Sequence, residues 1–179
     1  MLDFGFYNMD CMQGMAGFPD KYFDLAIVDP PYGGAGQEFK GTDGTRFGGI
    51  FERYSAKTKV ERRGAGHNKY DDKIVNWDVA PSQEYFDKLL RVSKNVVIWG
   101  GNYFSLPPCR CFLIWEKTNM PENFLMAMCE YAWTNINDNA KIFKKSSRRD
   151  NTSGKFHPTE KPIDLYKWIL AKYANPGDK

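Results

Sequence analysis

Four consecutive residues, Asp29-Pro30-Pro31-Tyr32, carry the clearest capacity for chemistry in this chain. Asp29 supplies a carboxylate. Pro30 keeps a carbonyl but has no N–H, so its backbone only accepts hydrogen bonds. Tyr32 supplies a flat ring for stacking. Two acceptors beside an aromatic face suit a planar ring that bears an exocyclic NH2 group. Such an amine is a poor nucleophile, because its lone pair is shared with the ring. Accepting a hydrogen bond from each N–H draws electron density back to nitrogen and turns the lone pair out of the ring plane. An electrophile held in line can then be attacked, and positioning of this kind contributes about 7–11 kcal/mol in favourable cases.

Such chemistry needs a rigid mount. The run Phe23-Asp24-Leu25-Ala26-Ile27-Val28 reads as a buried strand, with Asp24–Val28 as its body. Asp29 then sits at the carboxyl end of a strand, where open α/β sheets bind ligands. Taken alone, the tetrapeptide also reads as a plain Pro-Pro turn. Upstream, Phe4–Tyr7 is expected as a short strand and Cys11–Ala16 as a brief helix capped by Asp10. Downstream, Tyr85, Phe86, Leu89, Leu90 and Val92 recur at helical spacing after Pro81-Ser82. Asn95–Trp99 is a second buried strand closed by Gly100-Gly101, so Gly100–Phe104 is expected to line the same cleft. The helix between these strands makes a crossover and predicts that they are parallel neighbours. Segments 111–116 and 129–135 are expected as an antiparallel pair, with Ala140–Phe143 as a fifth strand. A last helix starts at Pro162 and carries Ile163, Leu165, Tyr166, Ile169, Leu170 and Tyr173. The fold class expected is α/β, with a mostly parallel sheet and one antiparallel hairpin.

A chain of 179 residues suits a single domain, 1–179. No run of about 18 apolar residues is present, so no membrane span is expected. The first residues lack the basic-then-apolar pattern of a signal peptide, which predicts a cytoplasmic protein. Cys11, Cys109, Cys111 and Cys129 have no Cys-x-x-Cys spacing; free thiols are expected, and no metal site. The net charge of +3 says little, but its distribution says more. One glycine-rich basic loop, about 33–75, holds Arg62 and Arg63 among seven cations between Lys40 and Arg63. A second, about 141–156, holds Lys144, Lys145, Arg148 and Arg149. Basic flexible loops are the usual footprint of contact with a phosphate backbone; a merely solvated loop is the alternative.

Three segments together resemble the DNA amino-methyltransferases, which move a methyl group from S-adenosyl-L-methionine to adenine N6 or cytosine N4. Tyr7-Asn8-Met9-Asp10-Cys11 resembles the "N-G-D-C" start of the permuted β-type class. Asp29-Pro30-Pro31-Tyr32 resembles the catalytic tetrapeptide. His157-Pro158-Thr159-Glu160-Lys161-Pro162 resembles the "H-P-T-E-K-P" segment that introduces the cofactor half. The order along the chain also matches, and the resemblance runs from about Tyr7 to Tyr173. It implies a Rossmann-like sheet. It also implies that His157, Pro158, Thr159 and Lys161 line the methionine and ribose end of the cofactor, that Asp10 and Cys11 approach its adenine end, and that Asp29 lies between cofactor and base.

In that class a strand and a glycine-rich turn, typically D-P-F-x-G-S-G, follow the "H-P-T-E-K-P" helix. This sequence reaches Asn175-Pro176-Gly177-Asp178-Lys179 where that strand is expected to begin, and Gly33-Gly34-Ala35-Gly36 does not replace the turn. The sheet is therefore expected to be incomplete at its C-terminal end, with weak cofactor binding by this chain alone and self-association through exposed sheet surface. The head residue Asp29 favours adenine N6 over cytosine N4. DNA is the expected partner, with the base flipped out of the duplex. An RNA methyltransferase and a DNA-binding remnant without turnover are the alternatives.

Overall fold

The run Val96-Val97-Ile98-Trp99 has no exposed surface, and the sheet is laid out around it. The computed structural model describes residues 5–32, 79–120, 127–147 and 160–179. The chain divides into two compact units, Met1–Pro30 with Ser82–Lys179, and Pro31–Pro81. Of the second unit only residues 31–32 and 79–81 are described, and the elements below belong to the first. They are α1 (Cys11–Ala16), β1 (Phe23–Val28), α2 (Gln83–Val92), β2 (Ser93–Trp99), a 3-10 turn (Gly101–Tyr103), β3 (Phe112–Glu116), β4 (Cys129–Thr134), β5 (Lys141–Lys144) and α3 (Ile163–Tyr173).

The strand order is β1-β2-β4-β3-β5. β1 and β2 are parallel, with Ile27 opposite Val97 and Val28 opposite Ile98. β4 is antiparallel to both β2 and β3, and β5 is parallel to β3. Four strands therefore point one way and β4 alone points back. The expected parallel neighbours and the expected antiparallel pair are both present.

Alternation along the strands sorts side chains onto two faces. Leu25, Ile27, Val97, Trp99, Leu113, Trp115 and Ala132 meet Leu165 and Ile169 of α3. Ala26, Val28, Val96, Ile98, Phe112 and Trp133 meet Phe86 and Leu89 of α2. Full burial of each large apolar side chain contributes about 1.5–3 kcal/mol. Covering both faces explains why β2 is apolar without interruption. α1 is tied to α2 by Arg91, whose guanidinium donates to the carbonyls of Phe18 (3.0 Å) and Met15 (2.8 Å). Lys21 donates to the carbonyls of Leu90 (2.6 Å) and Ser93 (3.0 Å), which satisfies the end of α2. β1 is the outermost strand on its side, and all six of its residues are only half-buried. Lys179 lies against this edge: its carbonyl accepts from the backbone N–H groups of Asp24 (2.9 Å) and Leu25 (3.3 Å).

Some boundaries differ from expectation. Gly5–Tyr7 is not a strand; Phe6 is fully exposed and has no apolar layer to join. β2 starts at Ser93 rather than Asn95, because α2 passes into it without a loop. Pro162 is the cap of α3 rather than its first residue, with ψ 137° and so outside the helical region. Of the stripe expected on α3, Leu165 and Ile169 are buried while Ile163 and Leu170 are exposed. One sheet face needs only one side of the helix. No helix among the described residues is long and apolar enough to cross a membrane.

Candidate active site

Asp29 follows Val28 at the carboxyl end of β1. Residues 25, 27 and 29 alternate onto one face, so its carboxylate turns to the face that carries α3. There Asp29 Oδ2 accepts from the ammonium of Lys161 at 2.6 Å, across 132 residues of sequence. Lys161 Nζ also lies 3.2 Å from Glu130 Oε2, and Lys117 Nζ lies 2.7 Å from Glu130 Oε1. Glu130 is the second residue of β4, which runs backwards, so its first residues share an edge with the carboxyl ends of β1, β2 and β3. Lys117 follows β3 directly. Four elements thus deliver alternating charges to one edge of the sheet.

The Lys161 side chain is 2% exposed, that of Lys117 9%, Glu130 24% and Asp29 29%. Two indoles form the floor. Lys161 Nζ stands 5.5 Å from the ring centre of Trp99, and Lys117 Nζ stands 5.3 Å from that of Trp115. Cation–π attraction of this kind contributes about 0.5–2 kcal/mol, more where water is excluded. Burial pushes the Glu130 carboxyl upward, but the ammonium groups of Lys161 and Lys117 outweigh it and hold Glu130 below its ordinary range. Tyr166 of α3 is pushed up to about 12, first by burial and then by the negative charges of Asp29 and Glu130. The indole N–H of Trp99 is buried with no acceptor among the described residues.

Pro30 is buried behind Asp29. Pro31 and Tyr32 fall in the second unit, where both are half-buried. Asp10 caps α1: its Oδ1 accepts from the N–H groups of Met12 (2.9 Å) and Gln13 (3.1 Å), while Oδ2 takes no part in the cap. Cys11 is exposed. Lys161, expected along a cofactor, has its ammonium enclosed and held by two carboxylates. Lys144 pairs with Glu116 at 3.0 Å and Lys145 with Asp164 at 3.0 Å, so the second basic stretch is partly neutralised. The Lys144–Glu116 pair is well exposed and hence weak, while Lys145 is half-buried. Arg62, Arg63, Arg148, Arg149, His157, Pro158 and Thr159 lie outside the described residues.

Glu130 and Lys117 escaped sequence reasoning. Neither belongs to a motif, and the only available signal was a charged residue inside an otherwise apolar strand, Cys129–Thr134. Compared with protein-family models and with curated proteins, the chain matches none.

Proposed function

We propose that the chain carries the amine-binding and catalytic part of an S-adenosyl-L-methionine-dependent DNA methyltransferase, acting on an exocyclic base amine, with adenine N6 as the favoured target. The observation that supports this reading is the contact between Asp29 and Lys161. Asp29 of the tetrapeptide and Lys161 of the "H-P-T-E-K-P" segment, far apart in sequence, meet at the carboxyl end of a strand. A mostly parallel sheet with helices on both faces fits the Rossmann-like architecture that the resemblance implies. A carboxylate at that strand end also suits the cationic cofactor, which would supply an electrophilic methyl group when bound. Asp29 would face its positive charge, and Asp10 Oδ2 remains available for a hydroxyl.

In this reading Asp29 accepts a hydrogen bond from the target amine, and the Pro30 carbonyl accepts the second. Both acceptors are held by the end of β1, so the amine is oriented without further ordering of the chain. Lys161 supplies no contact to the base; it fixes the Asp29 carboxylate. The test is expression of the protein in a host lacking DNA methylation, followed by nucleoside mass spectrometry of plasmid DNA and RNA. N6-methyladenine in DNA that disappears with Asp29→Ala is the expected result. Modified RNA alone would select an RNA substrate, and absence of any methylated base would refute the reading.

A further inference from the structure

Glu130 and Lys117 have no part in the proposed reaction, yet they complete the charge chain at its site. We propose that Glu130, anchored by Lys117, is a positioning residue for Asp29 that acts by sharing the ammonium of Lys161. The catalytic consequence rests on the amino-methylation reading; the shared contact itself does not.

The geometry is specific. Lys161 lies between two carboxylates, 2.6 Å from Asp29 and 3.2 Å from Glu130. Glu130 is in turn held from its other oxygen by Lys117 at 2.7 Å. Among the described residues, Lys161 before α3 contacts Asp29 and Tyr166 on α3 feels its charge, while Glu130 on β4 reaches it only through Lys161 and Lys117 after β3 only through Glu130. If Lys161 met Asp29 alone, its full charge would fall on the carboxylate that must attract the amine. With Glu130 on the far side, Lys161 divides its protons and charge between two carboxylates, and the four groups, Lys117 included, are neutral overall. Lys117 holds Glu130 from its other oxygen, which leaves Oε2 for Lys161.

Energetics argue against a purely structural purpose. Removing charges from water costs several kcal/mol per ion, and apolar side chains of like volume hold a fold at least as well. Trp99 and Trp115 already provide an apolar floor on which such side chains could pack. What the ionic chain adds is direction: positive and negative groups alternate from Lys117 through Glu130 and Lys161 to Asp29.

The test is proton exchange at the Lys161 ammonium, followed by 15N NMR of the full chain and assigned with Lys161→Arg. A buried ammonium shared by two carboxylates exchanges slowly. Glu130→Gln should speed that exchange about 10-fold or more, and Glu130→Asp should restore most of the protection. Should Glu130→Gln not fold, Lys117→Met loosens the same group from outside and should act in the same direction. In the methylating protein, Glu130→Gln should lower kcat about 10- to 100-fold with KM for DNA within about twofold. Unchanged exchange in both variants, or an unchanged kcat, would overturn the proposal. If the wild-type protein methylates nothing, the functional reading falls, while the exchange measurement still decides whether Glu130 shares the ammonium.

Discussion

Among individual residues, two carboxylates with the same chemistry are given different tasks by their surroundings. Asp10 caps a helix, so any cofactor role must coexist with that bond. Asp10→Ser keeps an oxygen for the cap and removes the carboxylate. It should leave thermal stability nearly unchanged, whereas Asp10→Ala should cost about 1 kcal/mol. A fall in cofactor affinity with Asp10→Ser, measured by isothermal titration, would separate the two roles. Asp29 ends a strand against a buried ammonium. Asp29→Ala should reduce methyl transfer by about 100-fold or more, as loss of a preorganised charge at a reacting centre does. DNA affinity should hold within about twofold, because in the proposed reading Asp29 acts on the amine and not on phosphates. Tritium incorporation and fluorescence anisotropy check the two halves of this prediction; full methylation by the variant would remove Asp29 from the mechanism.

Among the elements, the turn after β2 decides how closely the site edge can be built. Gly100 is left-handed, with φ 69°, which suits glycine. Gly101 lies against β4, and a Cβ there would stand 2.3 Å from the Trp133 Cβ. The indole of Trp133 is itself fixed by a 2.7 Å hydrogen bond to the Pro107 carbonyl, so it has little freedom to yield. Gly101→Ala should therefore destabilise the chain by about 1–3 kcal/mol or more through overpacking. A urea midpoint matching that of wild type would show that β4 can move away. The β1–β2 pair was readable because a helix between two apolar runs requires a crossover. The insertion of β4 between β2 and β3 was not, because hydrophobic pattern fixes which face of a strand is buried but not which strand lies beside it.

Across the molecule as a whole, charge governs both acid stability and any contact with nucleic acid. Glu130 is held below its ordinary value of 4.5 by Lys161 and Lys117, against the upward push of burial. A carboxyl whose folded value is depressed contributes stability above the unfolded value and loses it as pH falls through the folded one. The stability difference between wild type and Glu130→Gln should stay constant from about pH 7 to pH 5 and close at lower pH. Denaturant titrations across that range check it, and a difference that persists at low pH would contradict the ionic account. For DNA, replacing Lys144, Lys145, Arg148 and Arg149 by Ala should flatten the salt dependence, by about 0.9 in log K against log salt for each phosphate no longer neutralised. Lys144 and Lys145 start from ion pairs with Glu116 and Asp164, so each can exchange a carboxylate for a phosphate at little cost. An unchanged slope would leave this face as ordinary solvated surface.

Reading along the chain was enough to find the elements and where Asp29 falls among them. Apolar period and length identified β1, α2, β2 and α3, and a prolyl turn after an apolar run placed a carboxylate at a strand's end. These are local properties, set by alternation and helical spacing. What Asp29 meets there is a property of the folded chain alone. Lys161 is 132 positions away, and Glu130 and Lys117 come from strands whose order the sequence did not reveal. Sequence distance carries no information about which charges share a desolvated edge; the sheet order and the docking of α3 supply it. A lysine expected along a cofactor is thereby enclosed between two carboxylates, and a glutamate with no motif around it becomes part of the site.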